Sequence, residues 1–207
     1  MDDSLFISQE KSYEKSNKNL FCSYSIIFSL FEQFSLVIEH NKSEVFHFSR
    51  ATKNFNSSPL DLGPLGEPVL WLKNKWRYPS FIFDKKLSFY QHIYFYSNKA
   101  LYTIKDMKML GNFTRGLLLP YKWLLYRTYI MFVALYGFQL WYYKKTPLYY
   151  SLKKLKKMQH RVALWITRAF HTSLSWRVEA IAGLISIHLY LDKVSGRHYL
   201  RMVFLPK

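Results

Sequence analysis

The feature that most constrains the fold is an amphipathic repeat in residues 152–170, "LKKLKKMQHRVALWITRAF". Apolar residues recur there every three or four positions, which is the repeat of one face of an α-helix. The apolar positions are Leu155, Met158, Val162, Trp165 and Ala169. Basic residues cover much of the remaining surface, at Lys153, Lys154, Lys156, Lys157, Arg161 and Arg168. The pattern predicts a helix that buries one face, Trp165 included, and presents a positively charged face to solvent.

Three further segments repeat apolar residues at helical spacing. They are residues 88–110, residues 121–141 and a shorter region from Trp176 to Leu205. Ser88 is a suitable N-cap for the first, because serine oxygens accept hydrogen bonds from the free N–H groups of a first turn. Gly111 and Gly116 separate the first two segments, since glycine disfavours a helix interior. Residues 87–207 are therefore predicted to be entirely helical.

The first 86 residues carry a mixed pattern. Short β-prone runs at 4–8, 36–39 and 44–49 predict strands, and apolar spacing from Tyr13 to Phe34 predicts a helix capped by Ser12. After a loop at 50–68, "VLWL" (69–72) and "WRYPSFIFD" (76–84) predict a hairpin, with Pro79 at an edge or bulge. The fold class is therefore predicted to be α+β, with short antiparallel strands and a helix in residues 1–86 and helices alone in residues 87–207.

The charge is large and segregated along the chain. The formal net charge is +17. Residues 1–60 hold 6 basic and 7 acidic side chains, whereas residues 61–207 hold 24 basic and 6 acidic ones. Such a field favours polyanions, with nucleic acid first and anionic lipid second. A basic surface kept only for solubility is the alternative, but such surfaces normally intersperse both signs of charge.

Composition also excludes several kinds of site. Cys22 is the only cysteine, so neither an intrachain disulfide nor a thiolate zinc site is expected. The seven histidines have no ligand-like spacing and are expected as scattered surface or half-buried imidazoles. The N-terminus lacks the pattern of a secretory leader, and the uncharged run Thr128–Tyr143 is too short to span a membrane. We expect an intracellular protein, nuclear or cytoplasmic, with a buried helix at 128–143.

Several segments, taken in order, carry a family resemblance. An acid pair in "MDDSLFIS" is by itself usually a solvated terminus, but here a strand, a helix and a lysine-bearing turn follow it. The other segments are "LVIEHNKSEVFHFSR", "WRYPSFIFDKKLSFYQHI", "ALYGFQLW", "LKKMQHRVALWITRAFHTS" and "EAIAGLISIHLYLDKVSGRHYLR". Over essentially the whole chain, the order and spacing resemble the C-terminal part of the polymerase domain of non-LTR (LINE-type, Tad-like fungal) retrotransposon reverse transcriptases. The resemblance implies the end of a palm in residues 1–86, followed by a helical thumb and post-thumb region in residues 87–207.

The resemblance also implies a chemistry, two-metal nucleotidyl transfer with Mg²⁺ on an RNA template and a DNA primer. Asp2 would be a metal ligand, and Asp3 would support it or bind metal at some stages. Lys42 would lie near the incoming triphosphate, although a solvated turn lysine is the alternative. Trp76, Arg77 and Tyr78 would belong to a primer-grip hairpin, where Pro79-Ser80 replaces the usual Leu-Gly. The basic residues from Lys153 to Arg168 would contact the template–primer backbone, and no small-molecule cofactor is implied.

The chain starts within the acid-pair motif, so the first catalytic aspartate and the fingers of the family are not in it. We therefore expect a truncated reverse transcriptase that binds Mg²⁺ weakly and does not polymerise by itself. Three alternatives stay open from sequence: a basic nucleic-acid-binding helical module, a set of helices that lies on anionic membranes, and a decayed reading frame without a selected function.

Overall fold

The computed structural model describes residues 5–37, 44–49, 75–78, 80–109, 117–142 and 149–204. These residues form a mostly helical α+β protein with one small antiparallel sheet, which confirms the predicted class. The elements in chain order are α1 (Tyr13–Gln33), β1 (Lys75–Tyr78), β2 (Phe81–Asp84), α2 (Tyr90–Met109), α3 (Leu119–Leu125), a π-helical turn (Tyr126–Ile130), α4 (Met131–Ala134), α5 (Phe138–Trp141), α6 (Tyr149–Thr167), α7 (Ser175–Ile181) and α8 (Ile187–Phe204).

The chain divides into two compact units, Met1–Trp76 with Lys85–Leu87, and Arg77–Asp84 with Ser88–Lys207. The predicted boundary assigned the whole hairpin to residues 1–86. In the structure, β2 belongs to the second unit and packs against α2. That packing has an apolar cause, because Phe83 of β2 lies against the core of the second unit.

In the first unit, α1 is present as predicted, but the described residues of the predicted strands at 4–8, 36–39 and 44–49 do not form strands. Residues 5–8 and 36–37 have no regular structure, and residues 44–49 contain only an isolated bridge at Val45. A strand needs a neighbour for its backbone groups, and none of the described residues pairs with residues 5–8 in a sheet. Instead, side chains from residues 45–49 make ring contacts, such as His47 with Tyr13 at 5.0 Å between centroids. Ser12 precedes α1 as predicted, but its side chain makes no capping hydrogen bond.

The hairpin differs from its predicted form. "WRYPSFIFD" was expected as one strand paired with "VLWL", but it contains most of β1 and all of β2, which pair with each other. Proline cannot donate a ladder hydrogen bond, and Pro-Ser favours a turn over a continuous strand. The segment "VLWL", Pro79 and the predicted loop lie outside the described residues.

The core of the second unit is built on α2 and α6. Four of the five predicted apolar positions of α6 are confirmed, since Leu155, Met158 and Val162 are fully buried and Trp165 is 8% exposed. The fifth, Ala169, lies beyond the end of the helix at Thr167 and is half-buried. Helices α4, α7 and α8 pack around this pair. The side chains that they contribute to the core include Met131, Ala134, Val178, Ile187 and Leu191.

The predicted helix over 121–141 is interrupted. It starts at Leu119, passes through the π-helical turn and breaks at Leu135–Gly137 before α5 begins. Gly137 has a φ of +65°, a left-handed conformation that ends a helix at little cost only for glycine. In the part of the chain that the structure describes, no helix is long and apolar enough to cross a membrane.

Candidate nucleic-acid interface

The predicted catalytic residues Asp2, Asp3 and Lys42 lie outside the described residues, so their roles stay predictions. Adjacent carboxylates suit Mg²⁺, which prefers oxygen ligands. Elsewhere in the described ranges, no group of three or more His, Cys, Asp or Glu side chains is placed to hold a metal ion. The candidate site that can be built from geometry is therefore the predicted nucleic-acid surface.

A stripe of cations runs along α6. At about 100° per residue, Lys153, Lys157 and Arg161 fall within an arc of about 80°. All three are exposed, as is Lys156 beside them. Like charges four residues apart on a helix repel by about 0.2–0.5 kcal/mol per pair. The stripe therefore carries a small stability cost that a bound polyanion would relieve.

Carboxylates do not neutralise this stripe. Residues 107–178 contain 13 basic and no acidic side chains. Among the described residues, no carboxylate lies within 4.0 Å of an α6 cation. Glu179 is near Lys156, whose charge lowers the pKa of that carboxyl, but burial has the larger effect and raises it. The surface thus keeps its net positive field.

Two other acids of the second unit have structural partners. The Asp84 carboxylate accepts hydrogen bonds from the backbone N–H of Ser88 at 3.1 Å and of Phe89 at 2.9 Å, where α2 is about to begin. Asp192 accepts a hydrogen bond from the Tyr142 hydroxyl at 2.7 Å. Burial first, and then this bond, raises the pKa of Tyr142 to about 12. Both carboxylates are thus committed to local hydrogen bonds.

Two predicted contact residues meet neighbouring aromatic rings on α2. The Lys154 ammonium lies 4.8 Å from the centroid of the Tyr94 ring, and the Arg77 guanidinium lies 5.8 Å from that of Phe95. Both rings are about two-fifths exposed, at 41% and 40%. Tyr90, one turn earlier, stacks on Tyr94 at 6.3 Å. Exposed rings beside cations can stack on unpaired bases while the cations contact phosphates.

We call Tyr90, Tyr94, Phe95, Arg77 and the α6 cations from Lys153 to Arg161 the α2–α6 surface. Its aromatic members were missed from sequence, although Tyr90 and Tyr94 are four residues apart in a helical pattern. That spacing indicates a shared helix face, but it does not say whether the face is buried. Exposure of the rings became evident only from the packing of α2 against α6.

The remaining hairpin residues have different surroundings. The Trp76 ring is half-buried and stacks on Phe46 at 6.1 Å in the first unit, so packing accounts for this side chain. Tyr78 is also half-buried. Of the three predicted hairpin contacts, only Arg77 is exposed.

Two cations near the end of α6 have opposite environments. Lys122 is buried, and its ammonium donates to the carbonyl oxygen of Trp165 at 3.1 Å in the last turn of α6. Burial, followed by the Arg168 charge, lowers the pKa of Lys122. Lys122 thus caps the C-terminal end of α6, where positive charge is favourable. Arg168 is exposed just beyond that end, available to a ligand.

Comparison with known proteins gives no relative for this chain. No protein-family model matches it, and neither a curated protein nor a solved structure matches it.

Proposed function

We propose that this chain is the palm-end and thumb part of a non-LTR retrotransposon reverse transcriptase, and that its helical unit binds the backbone of a template–primer duplex. The family proposal rests on the order of the sequence motifs, from the acid pair to the segments at the C-terminal end. Asp2 and Asp3 would hold Mg²⁺, which would supply the nucleotidyl-transfer chemistry. The binding proposal rests on the α2–α6 surface.

The observation that carries the binding proposal is the exposed, uncompensated cation stripe of α6. Phosphate contacts by lysine and arginine release condensed counterions, so they provide affinity without reading sequence. A surface kept for solubility would not require an α6 cation beside an exposed aromatic ring, as Lys154 is beside Tyr94. The second candidate function, a nucleic-acid-binding helical module outside any polymerase, uses the same surface.

The test is the salt dependence of binding, measured by fluorescence anisotropy on a labelled RNA–DNA hybrid. Replacing three phosphate-contacting cations by Lys153→Gln, Lys157→Gln and Arg161→Gln should reduce the slope of log affinity against log salt by about 2.7. The matched control is Lys193→Gln, Arg197→Gln and Arg201→Gln on α8, which removes the same charge at the same four-residue spacing. An equal loss of slope in both triple variants would show that net charge, and not the α6 stripe, drives binding.

A second measurement addresses the aromatic part of the surface. Tyr94→Ala should weaken binding to single-stranded RNA by about 1–3 kcal/mol with an unchanged salt slope, because base stacking releases no counterions. Tyr102→Ala is the matched control, since Tyr102 is an exposed tyrosine on the same helix. Unchanged affinity in the Tyr94 variant would remove the aromatic rings from the proposed interface.

A further inference from the structure

The outer part of α8, residues 192–204, is left largely uncovered by the elements that the structure describes. Ile187 and Leu191 in its first two turns are its only buried side chains, and residues 192–204 are half-buried or exposed. Ring packing reaches His198, which lies 6.3 Å from Phe138. Beyond His198 every residue to Phe204 is exposed. About four turns of helix, roughly 20 Å, thus carry little of the core.

This outer part has a cationic arc. At about 100° per residue, Lys193, Arg197 and Arg201 fall within about 80° of helix surface. All three are exposed, and no carboxylate in the described ranges lies within 4.0 Å of them. The arc is therefore free to attract an anionic partner.

A second arc is apolar and equally exposed. Leu189, Tyr199, Leu200 and Val203 fall within about 100° of one another, on a different side from Ile187 and Leu191. Asp192 falls in the same arc near the start of the helix, where its carboxylate accepts the hydrogen bond from the Tyr142 hydroxyl. Met202 and Phe204 add apolar surface at the tip, and the five large side chains from Tyr199 to Phe204 are 53–78% exposed. The exposed arc is therefore not an extension of the core-facing side. It is a separate apolar face that water covers in the isolated chain.

The two arcs together select the kind of partner. Phosphates of a nucleic acid would pair with the cations but would leave the apolar arc in water. A second copy of α8 would cover the apolar arc but would bring two cationic arcs together, which costs free energy. An anionic lipid interface satisfies both, because headgroups attract the cations while the acyl boundary receives the apolar side chains.

We propose that the outer part of α8 is a docking element for anionic membrane surfaces, lying in the plane of the interface with its apolar arc inserted. The inference is independent of the proposed nucleic-acid function, because it uses a different helix and a different ligand. Lys193, Arg197 and Arg201 supply attraction and orientation, and Tyr199, Leu200 and Val203 supply the inserted surface.

The first experiment is co-sedimentation of the full chain with vesicles of phosphatidylcholine, with and without roughly 30% phosphatidylserine. We expect partition only to the anionic vesicles. Lys193→Gln with Arg197→Gln and Arg201→Gln should weaken it on the order of a hundredfold at low salt. Leu200→Ser with Val203→Ser should weaken it about tenfold or more without a change in charge. The matched control, Lys153→Gln with Lys157→Gln and Arg161→Gln on α6, should keep near-normal partition.

The second experiment reports insertion directly and does not depend on affinity. Cys22 is the only cysteine, so Cys22→Ser combined with Leu200→Cys accepts one environment-sensitive fluorophore on α8. Its emission should rise and shift to the blue with anionic vesicles. The same fluorophore at Lys157→Cys on α6 should not respond.

Three results would overturn the proposal: no partition to anionic vesicles, equal loss in the α6 and α8 triple variants, or an equal fluorescence response at both labelled positions. Since α6 variants report on nucleic acid and α8 variants on lipid, failure of one proposal is distinguishable from failure of the other. Far-UV circular dichroism and urea midpoints verify that every variant is folded, as expected for exposed positions.

Discussion

The imidazole of His92 donates a hydrogen bond from Nε2 to the carbonyl oxygen of Tyr136, 3.1 Å away and 44 residues later in the chain. The direction follows from the other ring nitrogen, because Nδ1 accepts from the backbone N–H of Ile82 at 3.3 Å. His92 has no exposed surface. Its ring stacks on Phe81 at 5.1 Å between centroids. One neutral histidine thus joins β2 to the break between α4 and α5.

Replacing His92 should be costly in stability. His92→Leu leaves the Ile82 N–H without its partner and should lower the free energy of unfolding by about 1–3 kcal/mol, measured by urea denaturation. The Tyr136 carbonyl keeps a second donor, Trp141 Nε1 at 3.1 Å, so the two losses do not add in full. His171→Leu is the control, because His171 is exposed. A His92 variant as stable as the His171 variant would contradict the assigned role.

Stability should fall as the pH drops below about 6.5. Burial lowers the pKa of His92, with partial opposition from its bond to Tyr136, and burial followed by the Lys85 charge lowers that of His47. The folded pKa values lie below the unfolded one, so the unfolded state binds more protons in this window. Stability is therefore fully present above the unfolded pKa and is lost as the pH falls through the folded pKa.

Urea midpoints from about pH 7.5 to about pH 5.5, roughly one unit either side of the unfolded histidine pKa, measure this dependence. His92→Leu should flatten the profile in part, since His47 retains the same sign. His171→Leu should keep the wild-type slope. A His92 variant with the full wild-type slope would assign the pH dependence to other groups.

Three glycines provide a graded test of the backbone. A Cβ on Gly137 would overlap the Phe81 ring, and φ there is +65°, whereas Gly183 has the same φ with open space around it. Gly183→Ala should therefore cost about 1–2 kcal/mol from the left-handed conformation alone. Gly137→Ala should cost more, and the difference measures the overlap with Phe81.

Gly196→Ala is the third member of the series. Gly196 lies within α8 and has open space, so alanine should raise stability by about 0.5–1 kcal/mol. Thermal or urea unfolding orders the three variants. Equal costs at Gly137 and Gly183 would mean that Phe81 moves aside freely.

Asp84 should stabilise the segment that leads into α2, because its carboxylate accepts from the N–H groups of Ser88 and Phe89 just before the helix begins. Its carboxylate also accepts from the Ser88 hydroxyl at 2.8 Å, while Ser88 Oγ is 3.5 Å from the Tyr90 N–H. Asp84→Ala should destabilise the chain by about 0.5–2 kcal/mol, and Asp84→Asn by less. Asp106→Ala, at an exposed position of the same helix, is the charge-matched control. If Asp84→Ala cost no more than Asp106→Ala, the hydrogen bonds of Asp84 to Ser88 and Phe89 would not stabilise the start of α2.

The strand predictions show where local pattern is insufficient. Residues 5–8 and 44–49 are β-prone, but a strand exists only where a second segment pairs with its backbone. "WRYPSFIFD" shows the converse, since its two halves belong to β1 and β2, which pair with each other. The sequence predicted Ser88 as the cap of α2, and Ser88 Oγ does lie 3.5 Å from the Tyr90 N–H. Nothing in the sequence indicated that Asp84, at the end of the hairpin, would accept from the N–H groups of Ser88 and Phe89 before the helix.

The sequence by itself determined the helical periodicity of residues 88–204, the buried face of α6 and the segregation of charge, because each depends on residue type and local spacing. Only the tertiary structure decided which polar side chains are internal. His92 and Lys122 resemble surface residues in a linear pattern, yet their acceptors lie 44 and 43 residues away. Burying a polar group costs free energy unless a hydrogen-bond partner lies within reach. Because these partners are distant in the chain, the residues next to His92 and Lys122 in sequence do not indicate that either side chain is buried.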